Sequence, residues 1–262
     1  MLLNDGLLLE TYGQYLQKMK VEPDHTQYAD YGWENVPETL NFSWLAYSLM
    51  LPEFSRSLAN IVNQLGNYAR RLKSWDKVLS TYDEDLRLEL LFQFVEPIAM
   101  VSLTLPYAIQ SRFFFSIAHL SHQANKTKLG PGWKDDLPDD RDIAREVARK
   151  YGVYWSSYAA FDASVVTIFS EKHRLNTDDF RHKHTHRVPT QVVLGHAGLV
   201  RRGKDTIGRG VKYEFGDRPP IDISVLADEL STEFHRSLAA FRDFKLVVAE
   251  QVEEIKRNNS LP

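Results

Sequence analysis

The chain has 262 residues, no cysteine and a formal net charge of −3 at neutral pH. The lack of cysteine excludes disulfide bonds, thiolate zinc sites, cysteine-ligated iron–sulfur clusters and cysteine nucleophiles. The small negative charge argues against a protein that coats nucleic acid with its whole surface. A hydrophobic content of 43% allows a large core, and we expect a globular protein of the cytoplasm.

The N-terminus predicts a mature helix, not a signal peptide. No basic region precedes its apolar run, and Asp5 and Glu10 interrupt that run. The longest uncharged runs, 39–52 and 97–111, are shorter than the roughly 18 to 20 apolar residues of a spanning helix, so we expect no membrane association. We assign residues 1–40 to an acidic N-terminal helical extension and 41–262 to a helical bundle.

Helical periodicity dominates the middle of the chain. Apolar side chains recur at three- and four-residue steps over 53–83, which predicts a long amphipathic helix. The same pattern predicts a second helical stretch from Glu84 through Leu91 and then an apolar segment to His122, in which Pro97 and Pro106 start or kink helices. A polar loop is expected over 123–138, a helix from Asp139 or Asp140 to a break at Gly152, and a further helix over 153–173.

The last third of the chain contains the one segment with strand character. Two short apolar-alternating pieces around a glycine-rich turn predict a small hairpin or ordered loop near 199–216. Asp222 is expected to cap a final helix that extends to about residue 256. The predicted fold class is therefore all-α, an up-and-down helical bundle with one small β insertion.

The segment that carries chemistry is FRHKHTHRVP, residues 180–189. Five basic or titratable side chains fall within six positions: Arg181, His182, Lys183, His184 and His186. Histidine titrates near neutral pH, and arginine is always charged and holds phosphate well. From 181 to 218 there are nine lysines and arginines against three acidic residues, which suits an anionic substrate.

Helical geometry selects among these side chains. We expect a short helix capped by Asn176 or Thr177, with Asp178 and Asp179 in its first turn, that ends before Pro189. His182 and His186 then share a face and Arg181 projects about 100° away from His182, while His184 turns aside. Unwinding of the last turn, or a second copy of the chain, would bring Arg181 and His186 onto one phosphate.

The Arg181–x4–His186 spacing, late in an all-α chain, resembles the motif of the HEPN superfamily. That resemblance implies RNA cleavage without a metal or cofactor, at a site assembled from two motifs in a homodimer. Arg181, His182 and His186 take the catalytic roles in this hypothesis. Neighbouring side chains are expected to contact the substrate: Lys183, His184, Arg187 and Arg174. A defence or toxin–antitoxin role, with an antitoxin or other protein partner, is implied as well.

Other interpretations of the cluster remain open. Many HEPN proteins are noncatalytic, so a module that binds RNA or a protein partner is the main alternative. If the segment were extended, His182, His184 and His186 would point to one side and suit zinc, and on a helix Asp178 could join a histidine pair. A solvated helix end, in which Lys183 and Arg187 interact with the helix dipole, is the third interpretation.

Two histidines lie elsewhere on an apolar helix. His119 and His122 are three residues apart, and we interpret them as residues at the edge of the core that find hydrogen-bond partners. Trp133, in the predicted polar loop, is likewise interpreted as a packing residue.

Overall fold

The computed structural model describes residues 5–22, 27–37, 41–192, 195–204, 210–216 and 218–259. Within these ranges the chain is all-α with one two-stranded antiparallel sheet, which confirms the predicted fold class. The α-helices are α1 (Asp5–Val21), α2 (Leu45–Leu79), α3 (Glu84–Leu90), α4 (Glu96–Ala124), α5 (Lys126–Leu129), α6 (Arg145–Gly152), α7 (Tyr158–Val165), α8 (Glu171–Asn176), α9 (Phe180–His186) and α10 (Ile223–Asn259). The strands are β1 (Val200–Lys204) and β2 (Val211–Phe215).

The chain divides into two compact units. Unit 1 comprises Met1–Asp24, Gly66–Thr104 and Glu171–Ser231, and unit 2 comprises His25–Leu65, Leu105–Ser170 and Thr232–Pro262. In unit 1 a stack of rings forms part of the core, with Trp75 4.4 Å from Tyr15 and 4.9 Å from Phe94 between ring centroids. The predicted division of the chain at residue 40 stays a prediction.

Helix α2 begins earlier than its predicted start at residue 53 and runs through Pro52. A proline inside a helix loses one backbone hydrogen bond and crowds the preceding turn. Here the preceding turn carries Tyr47 and Leu51, which are both buried, and the burial of those side chains favours continuing the helix across the proline.

The predicted disturbance at Pro97 takes the form of a π-helical turn. Asp83 caps α3 by accepting a hydrogen bond from the Leu86 N–H at 3.0 Å. A π-helical segment, Leu91–Val95, then connects α3 to α4, whose second residue is Pro97. Because proline has no N–H to donate to the carbonyl four residues earlier, the wider turn accommodates it.

The helical stretch 84–132 contains an 18-residue window with a mean hydropathy of 1.5 and no more than two charged residues. It is the one stretch in the described part of the chain with the length and composition of a membrane span, and 44% of the window is buried in the protein. Core helices and spanning helices both meet this criterion. The cytoplasmic location and the lack of membrane association therefore stay predictions.

Three further predicted elements have different boundaries in the structure. The helix expected from Asp139 or Asp140 begins at Arg145, after a 3₁₀ turn at Asp140–Asp142. The loop expected over 123–138 begins with the end of α4 and with α5, and it is irregular only after a 3₁₀ turn at Gly130–Gly132. The single helix expected over 153–173 is instead broken into α7 and the start of α8. Phe169 lies at the break in a left-handed conformation, with φ of 52°.

Carboxylates from α10 explain the breaks around α7. Glu250 accepts hydrogen bonds from the backbone N–H groups of Ser156 and Ser157 at 2.8 and 2.9 Å. Glu233 accepts one from the Phe169 N–H at 2.8 Å. In a continuous helix these N–H groups would donate to helix carbonyls, and in unit 2 the two carboxylates accept their hydrogen bonds instead. The backbone can therefore turn there at little cost in free energy.

Glu250→Gln is expected to destabilise the protein by about 1–2 kcal/mol at pH 7, because hydrogen bonds to a carboxylate are stronger than those to a neutral amide. Burial would raise the pKa of Glu250, but the bonds from Ser157 and Ser156 outweigh it and the pKa lies below the ordinary 4.5. A group whose pKa is lower in the folded than in the unfolded protein stabilises the fold at pH values above its unfolded-state pKa. That stabilisation is lost as the pH falls through the folded-state pKa. The loss of stability caused by Glu250→Gln should therefore become smaller below about pH 4.5.

Chemical denaturation at pH 7 and at pH 3 measures this difference. Glu253→Gln is the control, because Glu253 is exposed on α10 and pairs with Lys256 at the surface, and we expect no measurable change. A Glu250→Gln deficit that is the same at both pH values would contradict the prediction.

Candidate functional site

The entry to α9 differs from the predicted cap. Thr177 ends α8 instead, and its hydroxyl donates to the His173 carbonyl at 2.8 Å. Asp178 and Asp179 follow in left-handed conformations, with φ of 51° and 50°, so they precede α9 and do not form its first turn. Aspartate tolerates this region better than most residues. The reversal places Phe180 in the core of unit 1.

Asp178 is the centre of an ion-pair network in unit 1. The ammonium of Lys183 lies 2.5 Å from one carboxylate oxygen, the guanidinium of Arg218 lies 3.3 Å from the other, and the Thr190 hydroxyl donates to the carboxylate as well. Burial would raise the pKa of Asp178, but Lys183, Thr190 and Arg218 hold it below the ordinary value. The charge of Lys183 is thus already balanced, and its predicted contact with substrate stays a prediction.

The three histidines of α9 are arranged as helical geometry requires. His182 and His186 are exposed, and their ring centroids are 5.3 Å apart. The His184 ring instead stacks on Phe180, with centroids 5.3 Å apart and an interplanar angle of 17°. The structure therefore brings two imidazoles together and turns the third aside. The zinc arrangement of three imidazoles requires an extended segment, which this helix does not form.

The arginines predicted for the site lie in three different environments. Arg181 is half-buried and about 140° around the helix from His186, since the two residues are five positions apart. Arg187 is exposed, and its backbone N–H closes α9 on the Lys183 carbonyl at 2.6 Å.

Arg174 lies in an acidic groove in unit 1. The groove has a volume of about 280 Å³ and is lined by Glu171, Arg174, Leu175, Asp178 and Asp179. One guanidinium faces three carboxylates there, which disfavours phosphate. The surroundings of Arg174 therefore do not support its predicted contact with the substrate.

The hairpin confirms the predicted β insertion and exposes aromatic side chains. Its register pairs Val200 with Phe215 and Arg202 with Tyr213. Every residue of β2 is exposed, including Tyr213 at 71% and Phe215 at 96%. Large aromatic side chains so fully exposed beside basic residues are unusual on a surface without a partner.

A cleft that the sequence pattern does not predict lies at the end of α4 in unit 2. Its volume is about 170 Å³. His122, Trp133, Lys150, Tyr151 and Tyr154 contribute to its lining, and the His122 side chain is 1% exposed. The available signal was a histidine at the end of an apolar helix, directly before a segment rich in glycine, proline and charge.

Comparison of the chain with protein-family models, with curated proteins and with solved structures found no match. The resemblance to HEPN proteins therefore rests on Arg181 to His186 and on the all-α fold class alone.

Proposed function

We propose that this protein is a metal-independent endoribonuclease of HEPN type. The supporting observation is the exposed pair of His182 and His186, whose ring centroids are 5.3 Å apart on one face of α9. Two imidazoles at this spacing suit the two proton transfers of RNA cleavage, because histidine is both an acid and a base near neutral pH.

In the proposed reaction, one neutral imidazole takes the proton of a ribose 2′-hydroxyl. The resulting oxyanion attacks the adjacent phosphorus, and the bond from phosphorus to the 5′-oxygen breaks. The other imidazole, in its protonated form, donates a proton to that leaving oxygen. Arg181 binds the phosphate and stabilises its developing negative charge. The products are a 2′,3′-cyclic phosphate and a 5′-hydroxyl.

The geometry of α9 favours a site built from two copies of the chain. Arg181 and His186 diverge by about 140° on one helix, so a single regular α9 does not direct both onto one phosphate. In a symmetric dimer, Arg181 of one copy and the histidine pair of the other would meet at each of two equivalent sites. The proposal therefore includes a homodimer with α9 at its interface.

The products test this function directly. Purified protein is incubated with a single-stranded RNA in the presence of a chelator, and the fragment ends are identified by mass spectrometry. We expect cyclic phosphate and 5′-hydroxyl ends, and no cleavage where the ribose carries a 2′-deoxy substitution. Cleavage that stops on adding chelator, or that yields 5′-phosphate ends, would contradict the mechanism.

A noncatalytic module that binds RNA or a protein partner is the second candidate, and the hairpin is the observation that favours it. Tyr213 and Phe215 are exposed on β2, and aromatic side chains of this kind stack on bases or pack against a partner. An unchanged rate of RNA cleavage in a variant with both Tyr213→Ala and Phe215→Ala would show that the hairpin takes no part in catalysis. Binding of RNA without any cleavage would favour the module.

A further inference from the structure

The cleft at the end of α4 has aromatic walls and a polar floor. Trp133, Tyr151 and Tyr154 line its sides. The His122 ring forms the floor, with its centroid 5.1 Å from that of Trp133 and 4.9 Å from that of Tyr151. Aromatic walls around a few polar groups are typical of sites for small molecules.

Neighbouring hydrogen bonds determine which nitrogen of His122 carries the proton. The Lys126 ammonium, which only donates, lies 2.9 Å from Gln123 Oε1 and so fixes the orientation of that amide. The Gln123 amide nitrogen then faces His122 Nδ1 at 3.4 Å, and Nδ1 accepts from it. Burial lowers the pKa of His122 although Asp135 opposes the shift, so the ring is neutral at pH 7 and its proton is on Nε2.

Among the described residues this Nε2–H makes no hydrogen bond of regular geometry. The Lys134 backbone favours the protonated ring and so opposes the lowering of the His122 pKa, but it does not satisfy this donor fully. The nearest carboxylate oxygens belong to Asp135 and Asp136, at 3.5 and 3.8 Å, and neither accepts a hydrogen bond from it. A buried donor without an acceptor is unfavourable, and native proteins rarely leave one unsatisfied. The floor of the cleft therefore favours a ligand that offers an acceptor atom.

The rim of the cleft is balanced in charge. The Lys150 ammonium lies 2.7 Å from Asp136 Oδ2, and the Tyr151 hydroxyl lies 2.9 Å from Asp136 Oδ1. The Lys126 ammonium lies over the Trp133 ring at 4.5 Å from its centroid. Carboxylate acceptors and ammonium donors are thus both present, but they compensate each other. Such a rim favours a neutral ligand that both donates and accepts over a simple ion.

We propose that the cleft binds one small, neutral, hydroxylated ring of about the size of a monosaccharide. One ligand hydroxyl accepts a hydrogen bond from His122 Nε2–H and donates to the carboxylate of Asp135 or Asp136. The apolar face of the ring packs on Trp133. The volume of about 170 Å³ corresponds to roughly six water molecules and accommodates one such ring.

This proposal does not depend on RNA cleavage by α9. The hydroxylated ring has two possible sources, a free monosaccharide or the ribose of a nucleoside. Titration calorimetry of the full chain with glucose, galactose, ribose and adenosine distinguishes them, with glycine and acetate as charged ligands of similar or smaller size. We expect saturable binding of at least one hydroxylated ligand with a millimolar Kd, as for other small ligands, and no binding of glycine or acetate.

Two variants link the binding to the cleft. His122→Leu removes the donor, and Tyr154→Ala removes an aromatic wall that is 47% exposed and so leaves folding intact. Each should weaken binding by about tenfold or more. Tyr213→Ala is the matched control, since Tyr213 is exposed and does not line the cleft. Thermal melting shows whether each variant folds.

The inference is overturned if none of the four hydroxylated ligands binds at about 50 mM, well above the expected Kd. It is overturned as well if glycine or acetate binds in their place, or if the folded Tyr154→Ala variant binds as tightly as the unchanged protein. Binding of adenosine with no binding of the sugars supports the proposal and assigns the ring to a nucleoside.

Discussion

His186→Ala is expected to lower the rate of RNA cleavage by about 10²–10⁴-fold, which is the usual contribution of one general acid or base. His182→Ala should have an effect of the same order, because the two rings lie together on the exposed face of α9. Both side chains are exposed on the single chain, so their removal should leave the fold of each copy intact. Cleavage rates under single-turnover conditions measure the loss.

His184→Ala is the matched control for this prediction. It removes a histidine from the same seven-residue helix, but that ring stacks on Phe180 and not on the pair. We expect cleavage to remain within a few-fold of the unchanged protein. Equal losses in all three variants would indicate that α9 contributes only local charge, and full activity of His186→Ala would exclude the proposed chemistry.

Gly152→Ala is expected to destabilise the protein by about 1–3 kcal/mol or more, although alanine favours helices over glycine. A Cβ at this position would lie 2.2 Å from two ring carbons of Tyr158, whose side chain is buried. The ring cannot withdraw without disturbing the core of unit 2. A fall in melting temperature of roughly 3–10 °C should follow.

Two variants control this prediction. Gly13→Ala places the same methyl group on α1, where no other atom would lie within 4 Å, and it should be neutral or slightly stabilising. In a Tyr158→Leu background the ring is gone, so the added cost of Gly152→Ala should shrink. An equal cost of Gly152→Ala with and without the ring would show that steric contact is not the cause.

Local signals in the sequence predicted the parts of the fold that depend on near neighbours. Asp222 caps α10 as expected, because its carboxylate accepts from the Ser224 N–H two residues later, at 2.7 Å. The end of α9 before Pro189 and the hairpin near 199–216 are likewise set by residues within a few positions. These signals need no tertiary contact to be effective.

Features that depend on distant residues were not predictable in this way. The segment 153–173 has a helical pattern, but Glu250 and Glu233 bind its N–H groups from α10 and break it. From the sequence, His122 was expected to lie at the edge of the core with hydrogen-bond partners for its ring. Only the structure shows that, among the described residues, its Nε2 makes no hydrogen bond of regular geometry, although Asp135 and Asp136 lie 3.5 and 3.8 Å from it.

The arrangement of α9 in two copies is the central claim, and mixing two inactive variants tests it most directly. Arg181→Ala and His186→Ala are each expected to be inactive alone. After unfolding and refolding together, about half the dimers contain one of each chain, and each of these has one intact site. We predict recovery of about a quarter of the original activity in the mixture. A mixture that stays inactive, while the unchanged protein refolded in the same way is active, would contradict the two-copy site.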